Sequence, residues 1–144
     1  DWTQLAKEFQ LKLYAMVFAG QNVQDYVLKI IRDTRLGKLD EQLIYRKRIR
    51  RRLDLYVKNV PPHVKAARLA DQQNQALGKT LKYQHKSWIS YVMTINGPQP
   101  IEYLSSQIDY DHYVEKQIKP IAEGILPFID LSFENMTSQQ MGLF

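Results

Sequence analysis

Six of the seven residues in the string Arg46-Lys47-Arg48-Ile49-Arg50-Arg51-Arg52 are basic. Cations crowded so closely repel one another, and a polyanion laid against them relieves that repulsion. Lining up Lys and Arg along phosphates also releases condensed counterions, which makes DNA phosphate the leading partner for this segment. Most charge runs are solvated faces, but Leu53 and Tyr56 flank this one with apolar surface, which favours a bound ligand. On an extended segment alternate side chains share a face. Arg46, Arg48, Arg50 and Arg52 would then form one row, and Lys47, Ile49 and Arg51 the other. Two residues of strand advance about 6–7 Å, a step that suits successive phosphates of one DNA strand. Tyr56, His63, Lys65 and Arg68 extend the surface, and a helix starting at Pro62 offers amide N–H groups to a phosphate. Three of these have plainer roles open to them: Tyr56 as a core aromatic, His63 as a hydrogen-bonder at a helix end, and Arg68 as a partner of Asp71. No pattern reads bases, so binding is expected to be independent of sequence.

The rest of the chain must position that segment. At 144 residues and 44% hydrophobic content it is long enough to bury a real core in one domain. Charge is uneven: residues 1–72 carry 15 Lys/Arg against 8 Asp/Glu, and residues 73–144 carry 5 against 7. The first half is built to meet an anion and the second is not. The chain has no cysteine, which excludes disulfides and thiolate metal sites and is compatible with a reducing cytoplasm. No apolar run approaches a membrane span and no signal-peptide pattern opens the chain, so no membrane partner is expected. An amphipathic segment starts almost at once after Asp1, with no initiating Met, so a piece of a longer polypeptide is expected.

Leu5, Phe9, Leu13, Met16 and Val17 recur at helical spacing up to Gly20. After Asn22, a good N-cap, Val23, Tyr26, Val27, Ile30 and Ile31 repeat the pattern to Gly37. The short link predicts that these two helices pack as an antiparallel pair. Leu43-Ile44-Tyr45 is an extended lead into the basic run. Pro62 suits the first turn of a helix running to about Leu77, which Gly78 ends. The Gly-Lys-Thr at 78–80 lacks the upstream glycine loop of a phosphate-binding loop and reads as that helix end. Residues 88–95 read as a strand closed by the turn Asn96-Gly97-Pro98. A helical pattern resumes at Asp109, with Pro120 kinking it or starting a second helix and Pro127 adding a bend. The expected fold class is mainly α with a small β element, an α+β fold. Residues 1–134 form its one domain, and 135–144 are a polar, aperiodic tail.

The string Ile49-Arg50-Arg51-Arg52-Leu53-x-x-Tyr56, followed by Pro62-His63-Val64-x-x-Ala67, resembles the thumb of the family B DNA polymerases. Ile89-Ser90-Tyr91-Val92 is similar to the family's Ile-x-Tyr-Val strand, and Asp109-x-x-x-Tyr113-x-x-x-Gln117-x-x-Pro120 to its Asp/Tyr/Gln/Pro helix. Asp1-Trp2-Thr3 is similar to the Asp-Trp that follows the palm. Residues 53–71 and 120–129 are closest to a bacterial branch of the family. One departure is Arg52, where the family usually has Pro. The resemblance implies a helical thumb that grips primer–template DNA, with Lys47, Arg48, Arg50 and Arg51 in the family's basic positions. It also implies that the catalytic, Mg2+-binding carboxylates lie in an upstream palm. This chain would then hold no catalytic residue, metal or cofactor, would be inactive alone, and would meet deoxynucleotides only through the absent palm and fingers. Asp109-Tyr110-Asp111 falls at a helix start, where acids suit the dipole, and is not read as a metal pair. The implied setting is the bacterial cytoplasm, at the nucleoid.

Gln140-Met141-Gly142-Leu143-Phe144 places two large apolar residues in an otherwise polar stretch. It resembles the sliding-clamp-binding motif of bacterial polymerases. Leu143 and Phe144 would be anchors in an apolar pocket, Met141 would cover its lip, and the Gln140 amide would fix the register. The plainer reading has Leu143-Phe144 folding back on the domain's own core. Two rival classes are a free-standing basic nucleic-acid-binding module and an adaptor whose basic run meets an acidic protein. Neither explains four family blocks in order.

Overall fold

The computed structural model describes residues 1–138. They divide into two compact units, one made of Asp1–Leu43 with the chain from Tyr110 onward, the other of Ile44–Asp109. The fold class is the expected one, mainly helical with one small antiparallel sheet. Among the described residues, no helix is long and apolar enough to cross a membrane.

The first unit is helical. Helix α1 (Gln4–Phe18) starts at Thr3, whose side chain accepts from the Ala6 N–H, and buries Leu5, Ala6, Phe9 and Leu13. Helix α2 (Gln24–Arg35) follows Asn22, whose Oδ1 accepts from the Gln24 N–H at 3.0 Å, and buries Val27, Leu28 and Ile31. Gly37 then takes φ +76°, and a Cβ there would lie 2.9 Å from the Tyr110 hydroxyl, so the turn needs glycine. The expected pairing of α1 with α2 is a minor feature. Phe9 stacks on Tyr26 at 5.8 Å, but α1 packs mainly on α5 (Lys119–Ile125) and α2 on α4 (Tyr110–Tyr113), both supplied by the returning chain. Short-range periodicity identifies a helix's apolar face without saying which element covers it.

That returning chain runs as α4 (Tyr110–Tyr113), a π-helical turn (Val114–Ile118) and α5 (Lys119–Ile125), closing in a 3₁₀ turn (Leu126–Ile129). Pro120 has no N–H to donate and its ring would strike the carbonyl four residues back. The wider π turn just before it makes room, so the axis continues through the proline. Gln117, buried in this turn, accepts from the Thr3 N–H and hydroxyl, both at 2.9 Å, and donates to the Asp1 carbonyl at 3.1 Å. Two of the sequence blocks, 1–3 and 109–120, are thereby tied together. The polar stretch expected to be aperiodic from 135 instead continues helix α6 (Phe133–Ser138), which buries Phe133 and Met136.

The second unit holds the sheet, in the order β1 (Tyr45–Ile49), β2 (Ser87–Thr94), β3 (Gly97–Pro100), all antiparallel. Strand β3 carries two prolines, which an edge strand tolerates because one side of its backbone needs no partner. The tight turn is therefore Ile95-Asn96, one step earlier than expected, and Gly97 already belongs to the strand. Helix α3 (Pro62–Ala76) packs against the sheet through Val64, Ala66, Ala67 and Ala70, all fully buried, and the alanines permit close approach. Gly78 follows it at φ +70°, in the left-handed turn expected of a helix end.

Candidate nucleic-acid interface

The basic run does not stay extended. Tyr45–Ile49 is strand, and the chain then bends through Arg50 and Arg51 into a 3₁₀ turn, Leu53–Leu55. Of the expected row, Arg46 and Arg48 lie exposed on β1, while Tyr45 and Ile49 on the other face are buried. Lys47 shares the inner face but emerges to solvent. Arg52 sits beyond the bend, so the four arginines do not form one continuous row. Ile49 explains the change: fully buried, it anchors the strand end, and Leu53 is the next core residue.

Pairing of β1 with β2 brings Ile49 opposite Ser87, so the residues after one lie beside those before the other. Arg50, Arg51, Arg52, His85 and Lys86, with Leu55, thereby line a shallow depression of about 420 Å³. His85 and Lys86 escaped the sequence reading because the basic residues they join are distant in the chain. The sequence marks both an extended run through 45–49 and a strand from 88, but not their antiparallel pairing, which sets Ile49 beside Ser87.

The cations are held in different ways. The Arg46 guanidinium lies 4.6 Å from the Trp88 ring centre, and that of Arg51 lies 4.4 Å from the Tyr56 ring centre. Arg52 reaches Asp54 at 2.6 Å in an exposed ion pair of the sort that contributes little. None of the described ion pairs involves Arg46, Arg48, Arg50 or Arg51. Arg52 itself has φ −56° and ψ 140°, the angles a proline would take. An arginine here therefore takes backbone angles that a proline could share while adding charge.

Behind the run, Arg68 donates from Nη2 to the carbonyls of Leu53 and Tyr56, at 2.7 and 2.6 Å. It ties the bend to α3 and is not the partner of Asp71. Asp71 is buried and accepts from the backbone of Lys82 and Tyr83 and from the side chains of Gln84 and Asn74. Burial alone would raise its pKa; the hydrogen bonds together outweigh this and hold it below the usual carboxylate range. His63 is 5% exposed, stands edge-on to Tyr56, and its Nδ1 has no hydrogen-bond partner. Burial, and secondarily the charge of Lys47, pushes its pKa down. Lys65 is exposed on α3. The structure thus gathers Arg50–Arg52 round the depression, sets Arg46 and Arg48 on the strand beside it, and places His63 and Arg68 in the support beneath. Gln140, Met141, Leu143 and Phe144 lie outside the described residues.

The unit Ile44–Asp109 carries 12 Lys/Arg against 4 Asp/Glu, a net +8, whereas the other unit carries 8 against 11, a net −3. Among the described residues no group of three His, Cys, Asp or Glu side chains is placed to hold a metal ion. A concave basic surface on a sheet edge, backed by a rigid helix, is suited to holding a phosphate backbone.

No family model matches the chain. Curated proteins do, and they belong to one class: the chain is similar from end to end to a segment of DNA polymerases. It is 51% identical over 144 residues to DNA polymerase II of Escherichia coli, a match that takes in 100% of this chain and 18% of that protein. DNA polymerase 2 of Aeropyrum pernix is 31% identical over 92% of the chain, and a DNA polymerase of Pyrococcus horikoshii 27% identical over 99%. The resemblance drawn from the motif blocks is borne out by these relatives. The chain spans less than a fifth of the length of each.

Proposed function

We propose that this chain is the thumb of a DNA polymerase II-like, family B enzyme, and that its basic unit grips primer–template duplex through the phosphate backbone. The observation that carries the reading is the exposed run on β1 and its bend. Arg50, Arg51 and Arg52 stand round a concave surface, and among the described ion pairs of the run's arginines only Arg52 meets an acid, Asp54, in a chain similar from end to end to a segment of DNA polymerases. Arg46, Lys47, Arg48, Arg50, Arg51, Arg52 and Lys65 supply charge, with Lys86 added by the fold and His85 as a hydrogen-bonding side chain beside it. Tyr56 supports Arg51, and His63 and Arg68 position the bend. Contacts to phosphate fix register without reading sequence.

The enzyme as a whole would extend a primer 3′-hydroxyl in the bacterial cytoplasm, at the nucleoid. Mg2+ held by palm carboxylates outside this chain would supply the Lewis acid for that phosphoryl transfer. The chain alone would be inactive. Its Gln140, Met141, Leu143 and Phe144 would dock on the sliding clamp, tethering the polymerase at the primer end and raising its effective concentration there.

The test has two arms. In the first, fluorescence anisotropy compares primer–template duplex with single strands of equal length; the thumb reading expects the duplex to bind more tightly. Equal or inverted affinities favour a free-standing nucleic-acid module, and no DNA binding favours the acidic-protein adaptor. In the second, the chain with and without its last five residues is titrated with purified sliding clamp. Binding that persists after truncation, or is absent from both, removes the tail from the account.

A further inference from the structure

Trp88 is the largest exposed side chain in the basic unit that the duplex grip leaves unused. It stands on β2 directly opposite Arg48 and half its surface, 50%, remains open to solvent. Arg46, diagonally across the strand pair, covers it at 4.6 Å from the ring centre. The surroundings of the open half of the indole are cationic: Arg46, Arg48 and, in the bend just ahead of β2, Lys86. Charge complementarity therefore selects an anionic occupant with a flat apolar face. Unpaired nucleotides have both, since each carries a phosphate and a base with two π-faces.

We propose that Trp88, flanked by Arg46 and Arg48, is a stacking platform for an unpaired base adjoining the duplex held in the neighbouring depression. Lys86 lines that depression from the bend that precedes β2, and Trp88 follows two residues later, at most about 7 Å away. That distance is roughly one nucleotide step, so a strand whose phosphates rest on Arg50 and Lys86 presents its next base to the indole. The Arg46 guanidinium, stacked on the ring, keeps its in-plane N–H groups for the phosphate of that nucleotide. A paired base cannot serve, because its faces are already stacked within the duplex. The platform thus senses the junction between paired and unpaired DNA. The inference rests on the nucleic-acid reading of the basic run and adds a specificity to it.

The chain has only two tryptophans, so a Trp2→Phe background isolates the emission of Trp88. That protein is titrated with a blunt duplex and with the same duplex bearing a short single-stranded thymidine overhang. The expected result is quenching of Trp88 by the overhang substrate alone, with the overhang substrate bound roughly tenfold more tightly. Trp88→Ala should abolish that preference, bringing the ratio of overhang to blunt-duplex affinity to about one, and Trp88→Phe should retain part of it. Equal quenching by the blunt duplex, or an unaltered overhang preference in Trp88→Ala, overturns the platform with the duplex grip intact. Absence of binding to either substrate overturns the grip itself. The quenching arm needs no substitution at Trp88, so it decides the matter even if a variant folds poorly.

Discussion

Asp33 and Asp71 are buried carboxylates, one in each unit, satisfied by different kinds of partner. In the acidic unit Asp33 meets two lysines, Lys29 at 2.8 Å and Lys38 at 3.9 Å. The hydrogen bond from Lys29 is the main cause of its lowered pKa. In the basic unit, where lysines and arginines abound, Asp71 is held entirely by neutral amide donors. One unit consumes cations inside its own framework. The other satisfies its buried acid with backbone and amide groups and, Arg68 apart, leaves the cations of the basic run at the surface. Net charge alone would not distinguish a basic unit that neutralises itself from one open to a ligand; the hydrogen-bond partners do.

The largest effect should come from Asp71→Ala, which leaves buried N–H donors without an acceptor and should cost about 3 kcal/mol in a denaturant titration. Asp71→Asn and Asp33→Asn then sharpen the contrast. Salt should shrink the loss at Asp33, whose lysine partners are exposed, and leave that at Asp71 unchanged. Both carboxyls titrate below the ordinary 3.8. Their contribution is therefore present above that value and lost as pH falls through the lower folded pKa. A matching dependence on salt at the two sites would erase the distinction between the units.

Next in size is the triple change of Arg50, Arg51 and Arg52 to Ala. It should weaken duplex binding roughly tenfold to a hundredfold and flatten the log–log salt slope by about 2–3. Removing Lys7 and Lys116, exposed cations of the acidic unit, should leave affinity within about twofold. His63 gives a smaller, pH-dependent effect. Its folded pKa lies below the ordinary 6.5, so stability is full above that pH and declines as pH falls towards the lower folded value. His63→Gln should flatten that part of the pH profile. The smallest change is expected from Arg52→Pro, since the backbone there already has proline angles. Unfolding free energy should shift by less than about 1 kcal/mol, with only a slight fall in affinity.

The first three helices were legible in the sequence because their apolar residues recur at one period and their ends carry Gly20, Asn22, Gly37, Pro62 and Gly78. Strand β3 was not, because Gly-Pro-Gln-Pro has turn composition and becomes strand only by pairing with β2. The π turn was not either, since nothing in residues 114–118 announces it apart from the proline that follows. Within the site, the basic run was evident from its composition, but its bend was set by the burial of Ile49 and Leu53. His85 and Lys86 joined it through a strand pairing about forty residues away in the chain. Arg68 is the instructive case: its charge marked it as a ligand residue or a partner of Asp71, and it binds two carbonyls of the bend instead.

The central claim is that the unit Ile44–Asp109 holds DNA by its backbone. The most direct measurement is the affinity of the chain for two duplexes of unrelated sequence across a range of salt concentrations. The account predicts one straight log–log line shared by both sequences, with a slope of about −3 to −5 for the phosphates engaged. Affinity that ignores salt, or that differs tenfold between the two sequences, would contradict it.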